Sequence, residues 1–327
     1  MTHCERSKKS ASTKRVHGFS LLEMMVALII LLSVTGIVMR AITQMSQASG
    51  TVGNRTEMHS SVRSATEVLQ QEIGQAGRIP ALPQAVTLSA AVAAGTAVTA
   101  TVTCASGVNC VNGMFNNELL VIDAGQMGTG SQNPETVAIS NINTAANTFQ
   151  ATFAFPHLIG APVVVAGAFP SGIIPTDAAA SPSTGNILRM FGDINGDGNM
   201  VYVEYNCDTT NGNLTRSVTP YNATTKNTAA VILPNISPNP PSSSPTPCFQ
   251  YQQKPNGTGT SSVVDVTVTL TVHTQTVDPQ THVYQTETKA LLNVAPRNVF
   301  DAWLLGGGSV TSRLQPMPAS VATLAGQ

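Results

Sequence analysis

A chain of 327 residues is long enough for one large domain or two modest ones; with 10% of residues charged and a formal net charge of -1, it offers no basic stripe for nucleic-acid phosphates. The charge is unevenly placed: residues 1 to 18 hold Arg6, Lys8, Lys9, Lys14 and Arg15 against Glu5 alone, and the remainder holds 11 basic and 16 acidic residues. Few charges among abundant Ser, Thr, Asn, Gly and Ala is the profile of an exported β-rich protein, not of a cytosolic enzyme.

Residues 19–39, FSLLEMMVALIILLSVTGIVM, are an apolar run of 21 residues interrupted by one charge, Glu23. That length crosses a bilayer as a helix, for which about 20 residues suffice. Basic residues before it place its N-terminal end on the cytoplasmic side. A secretory leader would have a shorter apolar core ending in a small-residue cleavage site, so the helix is expected to be retained.

The next segment changes period. In EMHSSVRSATEVLQQEIGQAGR the apolar positions Met58, Val62, Ala65, Val68, Leu69, Ile73 and Ala76 fall three or four apart, the pattern of an amphipathic helix with one face to bury. Gly77 accepts a left-handed cap and Pro80 cannot continue the ladder, so the helix ends there. A transmembrane half at 19–42 and an amphipathic half at 43–79 thus read as one helix from Phe19 to Gly77, about 90 Å long. Gly36, Gly50 and Gly53 are the expected places for a kink.

From Pro80 onward short β-rich runs alternate with turn residues: AVTATVT, ELLVID, TFQATFAF, PVVVAG, ILRMF, MVYVEY, LTRSV, VVDVTVTLTVHT and HVYQTETKALLNV. Val264, Val266, Val268, Leu270 and Val272 alternate with Asp265, Thr267, Thr269 and Thr271, one face buried and one wet. QTVDPQT joins the last two runs as a hairpin. The expected fold is α+β, an N-terminal helix packed on an antiparallel β-rich head at 80–303. PNISPNPPSSSPTPC reads as an extended, exposed loop, and residues 304–327 as a weakly ordered tail.

Five cysteines are present: Cys4, Cys104, Cys110, Cys207 and Cys248. With Cys4 inside the cell or removed, four remain for an oxidising compartment. Cys104 and Cys110 bracket the short loop CASGVNC and are paired on that ground; Cys207 and Cys248 pair by elimination, although four cysteines allow three connectivities.

DINGDGNMVYVE fits the calcium-loop pattern D-x-[DN]-x-[DN]-G-x5-E through Asp193, Asn195, Asp197, Gly198 and Glu204. Asn199 adds a backbone carbonyl. The flanking runs are strand-like, so this is no helix–loop–helix, and Glu204 falls in the outgoing strand with a doubtful reach to a metal. The alternatives are a structural calcium staple and an Asx-rich turn that binds nothing. His59, His157, His273 and His282 sit in no catalytic pattern, and no nucleophile elbow or phosphate loop occurs, so no enzymatic activity is expected.

The stretch KRVHGFSLLEMMVALIILLSV resembles the class III signal of type IV pilins and type II secretion pseudopilins. In that family a prepilin peptidase cuts on the cytoplasmic side, here between Gly18 and Phe19, and N-methylates the new terminus, here Phe19. A carboxylate in a membrane helix is costly and demands a partner; the resemblance implies that Glu23 pairs with the N-terminal amine of a neighbouring subunit and sets register in the filament. VLQQEIGQAGRIP, the L-x-R of Leu214 and Arg216, and LLNVAPRNV with Arg297 and Asn298 in a closing strand are similar to PilW-like minor pilins and the related J-type pseudopilins. The resemblance therefore implies a minor pilin acting in assembly or at the tip of a type IV pilus, with a type II secretion pseudopilin or a pilus-borne adhesin head as alternatives. Its implied partners are major and minor pilins, the prepilin peptidase and the inner-membrane assembly platform. Its implied location is the inner membrane, single-pass with the N-terminus cytoplasmic and the head periplasmic, and then the pilus at the cell surface.

Overall fold

The computed structural model describes residues 18, 20–82, 85–105, 107, 109–124, 133–256 and 259–327, and for 290–293 the backbone only. Residues 1–17 of the expected leader, and Phe19, lie outside the described residues.

Helix α1, Leu21–Gln75, runs 55 residues, about 80 Å, without a break at any of its glycines. Gly50 is packed rather than bent: a Cβ there would lie 3.3 Å from the Pro279 ring. Met58, Val62, Ala65, Leu69, Ile73 and Ala76 are buried as their spacing predicts. Val68 is exposed, and Glu72 is buried instead, because it faces an arginine and a tyrosine from the head.

The first part of the head is a barrel. Its strands are β1 (Thr87–Leu88), β2 (Gly95–Thr103), β3 (Leu119–Ile122), β4 (Glu135–Asn143), β5 (Thr148–Phe153) and β6 (Val163–Val165). They pair antiparallel in the order β1-β2-β5-β4-β3-β6. Hydrogen bonds from Leu88 N to Ala161 O (2.9 Å), Val163 N to Val86 O (2.9 Å) and Gly160 N to Leu88 O (2.8 Å) tie β1 to the approach to β6. The sheet thereby closes on itself and hides its edges. Leu88, Val102, Leu120, Ile122, Val137, Ile139, Phe149 and Phe153 fill it, and no residue of α1 belongs to this core.

The rest of the head depends on the helix. Strands β7 (Ile187–Gly192), β8 (Val201–Asp208), β9 (Asn213–Pro220) and β10 (Ala230–Pro234) form an antiparallel sheet in the order β10-β9-β8-β7. A second sheet comprises β11 (Ile236–Ser237), β12 (Phe249–Pro255), β13 (Ser261–His273) and β14 (Thr286–Val294), with β13 pairing to all three others. Leu69 and Ile73 of α1 share one core with Val203 and Tyr205 of β8 and with Val266, Val268 and Leu270 of β13. The expected helix-on-sheet packing is therefore present, but on two sheets and not on the barrel. Disulfide Cys207–Cys248 joins these sheets, and Cys104–Cys110 closes the short loop after β2, as the spacing suggested.

Two expectations fail. APRNV is not part of a closing strand: α2, Arg297–Gly307, starts there, and Asn298 Nδ2 donates to the α1 carbonyls of Gln75 (3.2 Å) and Ala76 (3.4 Å). Residues 304–327 are not loose. Helix α3, Ala319–Ala325, buries Val321 and Leu324 against Phe169, Phe191 and Tyr202. Gln315 is clamped to the barrel by bonds from Leu119 N to its Oε1 (2.9 Å) and from its Nε2 to Leu119 O (2.7 Å). The glycine-rich opening of this segment hides apolar positions that find partners only in the folded head.

Candidate functional site

The exposed half of α1 is the first candidate. Every residue from Ser20 to Ser46 is exposed, and among them are Leu22, Ile29, Leu32, Ile37 and Met39, each large and apolar. The segment is long and apolar enough to cross a membrane. The hydroxyls in its middle are satisfied within the helix: Ser33, Thr35 and Thr43 donate to the carbonyls of Ile29 (2.8 Å), Leu31 (2.7 Å) and Met39 (2.8 Å). That disposition suits lipid, where an unsatisfied donor is expensive. Glu23 is exposed in the first turn, where the helix dipole favours a carboxylate. Gly18 and Ser20 are exposed, and Ser20 is extended at the N-cap of the helix.

The seam between helix and head is ionic as well as apolar. Arg216, from the L-x-R stretch on β9, makes a two-pronged contact with Glu72, with Nε 3.1 Å from Oε2 and Nη2 bonded to Oε1; the Tyr205 hydroxyl donates to the same carboxylate. Burial and then the nearby Glu72 charge push the Tyr205 phenol well above its ordinary range, so it stays a donor. Above Glu72 the helix ends where three chain segments meet. Gly77 N donates to Phe191 O (2.9 Å) and Phe169 N to Gly77 O (3.1 Å). Gly77 has φ +77°, and a Cβ on Gly172 would sit 2.1 Å from the Gly77 Cα, so both positions require glycine. The sequence flagged Gly77 and Arg216, but nothing in it pointed to Glu72 and Tyr205 as the company of Arg216, or to Phe169 and Phe191 as the partners of Gly77.

The five expected calcium ligands are not brought together. Asp193 is buried at the helix end: its N–H donates to Arg78 O (2.8 Å), its Oδ1 accepts from Gly198 N (3.3 Å), and its Oδ2 faces Arg78 Nε at 3.7 Å. Asp197 Oδ1 accepts from Asn199 N (2.8 Å), an Asx turn. Asn195, Asp197 and Asn199 are on the outer side of the loop, and Arg78 supplies a positive charge beside Asp193. Glu204 is elsewhere. It pairs with Arg189 three rungs into the β7–β8 ladder, about 10 Å from the loop, and on the sheet face opposite the helix. There its Oε2 accepts from Arg189 Nε (3.0 Å), Lys226 Nζ (2.9 Å) and the Tyr202 hydroxyl (2.6 Å). Burial raises the Glu204 carboxyl, but Tyr202, Lys226 and Arg189 together outweigh it and leave the group below its ordinary range. Strand alternation is the reason: Glu204 shares its face with Tyr202, away from the calcium-type loop. Among the described residues no three His, Cys, Asp or Glu side chains gather as a metal site.

A β-rich head on a continuous helix whose first half is bare, apolar and long enough to cross a membrane is consistent with a membrane-anchored chain. Residues 13–39 match the family model for the prokaryotic N-terminal methylation motif, which marks the chain as type IV pilin- or pseudopilin-like and implies a prepilin peptidase and other pilins as partners. The match covers the Gly18–Phe19 junction, Glu23 and the apolar run, and the head lies beyond it. Comparison with curated proteins and with solved structures found no match.

Proposed function

We propose that the chain is a minor pilin of a type IV filament, PilW-like in role, that takes part in assembly or tip formation. The carrying observation is the undivided α1: its exposed apolar half lies largely within the methylation-motif match, and its other half is locked under the head through Leu69, Ile73 and the Glu72–Arg216 pair. In this proposal the peptidase cuts after Gly18, the amine of Phe19 becomes the methylated terminus, and the helix moves laterally from the inner membrane into the filament core with the head outward. Glu23 of one subunit then meets the terminal amine of the next. No enzymatic step is part of the proposal. Calcium, where it binds, acts as a staple on the Asp193–Asn199 loop through the donors that do not face Arg78.

The test compares sheared surface filaments from cells producing the wild type or Glu23→Ala. The proposal expects the wild type in the filament fraction and the variant processed but retained in the inner membrane. Equal recovery of both in filaments overturns it. A pseudopilin of a type II secretion system is the alternative assembly reading; its signature is lost secretion with surface pili intact after deletion of the subunit. An adhesin-like head is favoured by one observation, the closed barrel that no part of α1 helps to build. Filaments that persist without the subunit while surface attachment fails would support that reading over an assembly role.

A further inference from the structure

The barrel has two unlike ends. At one, Leu119 opens β3 and is clamped by Gln315, whose Nε2 also donates to Ala166 O just past β6 (3.0 Å), and Phe169 N bonds to Gly77 O (3.1 Å). That end faces the C-terminal segment and the end of α1. At the other, Ile122 pairs with Glu135 and Val163, and Phe153 pairs with Gly95. These residues mark the pole turned away from the joint with the helix.

Two segments cross that pole. Residues 90–94, AAVAA, and 154–160, AFPHLIG, are tied by both backbone bonds between Val92 and His157 at 2.9 Å. Val92 and His157 are buried, and every other residue of the two segments is exposed. The imidazole is fixed on both sides, its Nδ1 bonded to Asp123 Oδ2 and its Nε2 2.6 Å from Glu135 Oε1; Glu135 also accepts from Ala154 N (2.8 Å). The ribbon is thus held by its inward residues and presents the others already ordered, which lowers the entropy lost on contact with a partner.

What it presents is apolar throughout. Phe155, Leu158 and Ile159 are 43%, 50% and 68% exposed, beside Pro156 and the alanines of 90–94. No exposed side chain of either segment carries a nitrogen or oxygen atom. Charge is missing around them as well: residues 79–188 contain no Lys or Arg and only four carboxylates. Glu118 and Asp123 are buried, the Glu135 side chain is 10% exposed, and Asp177 accepts from Ser261 of β13, outside the barrel. A sugar, a phosphate or a charged peptide is recognised through side-chain donors, acceptors or countercharge, none of which the ribbon offers. A protein interface surrounds its apolar centre with a polar rim, and here the surroundings are uncharged too. A hydrocarbon phase asks only for clustered apolar area.

We propose that this ribbon docks on the acyl layer of an uncharged lipid surface other than the membrane that α1 crosses, with Phe155, Leu158 and Ile159 entering it. The proposal deepens the adhesin-like reading of the head, on which it rests, by giving that head a ligand class. Apolar side chains that enter the boundary between headgroups and acyl chains bind without help from basic residues in proportion to the area they bury.

Full-length protein held in lipid nanodiscs through α1 is mixed with phosphatidylcholine vesicles, and the vesicles are recovered by flotation. Loading into the discs, read by size exclusion, reports on the anchor alone. The wild type is expected to float with the vesicles equally well at about 0.05 M and about 1 M salt, since no charge takes part. Phe155→Ser, Leu158→Ser and Ile159→Ser combined are expected to weaken binding about a hundredfold or more, at roughly tenfold for each large apolar side chain. Phe155→Trp gives a second measurement: vesicles with brominated acyl chains are expected to quench the new tryptophan, against Trp303 of the wild type as background. A wild type that does not float, equal flotation of wild type and triple variant, flotation that falls with salt, or a new tryptophan that escapes quenching overturns the proposal. So does ribbon-dependent association of the discs with one another and not with vesicles, which would make the occupant a second copy of the chain. Because no filament is present, failure here leaves the adhesin-like reading with a different ligand, and attachment that survives loss of the subunit removes that reading without changing the vesicle result.

Discussion

The two parts of the head are stabilised by different means. The β7–β14 sheets share their core with α1 and are bridged by Cys207–Cys248, whereas the barrel closes its own hydrogen-bond circuit and encloses its own core. An open sheet needs a cover, and here the amphipathic half of the stalk provides it; a closed barrel needs none. The sheets are thus obliged to follow the helix, while the barrel can vary without disturbing the helix or the sheets that cover it.

The largest effects should come from each core separately. Phe149→Ala in the barrel and Leu69→Ala on α1 are each expected to cost about 3 to 5 kcal/mol, since both side chains are fully buried. Calorimetry should show two transitions, with Phe149→Ala lowering only the barrel's and Leu69→Ala only the other. A single transition shifted by either change would erase the distinction between the regions.

The disulfides should separate the regions next. Cys207–Cys248 spans 41 residues and Cys104–Cys110 spans 6, so chain entropy predicts losses of about 4 and about 2 kcal/mol when each pair is replaced by serine. Denaturant midpoints of the two double variants measure the difference. A larger loss from the short loop would mean that the barrel relies on its disulfide more than on closure.

Glu118 gives a pH-dependent contrast at the base of the barrel. Burial pushes its carboxyl from 4.5 up to about 8, and its Oε1 has no partner among the described residues. The native chain therefore keeps a proton that the unfolded chain releases above about pH 4.5, and the Glu118 contribution is lost as pH rises from there through 8. The slope is at most about 1.4 kcal/mol per pH unit, and Glu118→Gln should flatten it. A variant with the wild-type slope would show that the carboxyl is solvated or paired.

Calcium should have the smallest effect. With Arg78 already beside Asp193 and Glu204 bound to Arg189 and Lys226, a loop site is of the millimolar class. Millimolar calcium then adds less than about 1 kcal/mol, seen as a slight fall of the thermal midpoint on chelation. A fall of many degrees would mean that calcium displaces Arg78 from Asp193.

Much of this organisation was legible from periodicity. The buried positions of α1, Val68 excepted, and the alternation in β13 followed directly from spacing, and composition alone marked the exposed apolar half of the helix. What stayed hidden depended on partners distant in sequence. β4 reads ETVAISNIN, with Val137 and Ile139 as its buried apolar anchors, and it becomes a strand because β3 and β5 flank it. Barrel closure rests on Val86 and Leu88 meeting residues 160–163, a pairing no local pattern announces. Glu72 and Val68 exchanged their expected environments because Arg216 and Tyr205 face one and solvent the other. The calcium pattern matched in residue order, yet strand alternation put Glu204 on the wrong face.

The central claim is that the chain is matured at the junction before its membrane helix. Mass spectrometry of the N-terminal peptide, from protein made together with a prepilin peptidase, tests it most directly. The account predicts a mature chain that begins at N-methylated Phe19 and a precursor that persists when Gly18 is replaced by a bulky residue. An N-terminus at Met1, or a cut at any other bond, would contradict it.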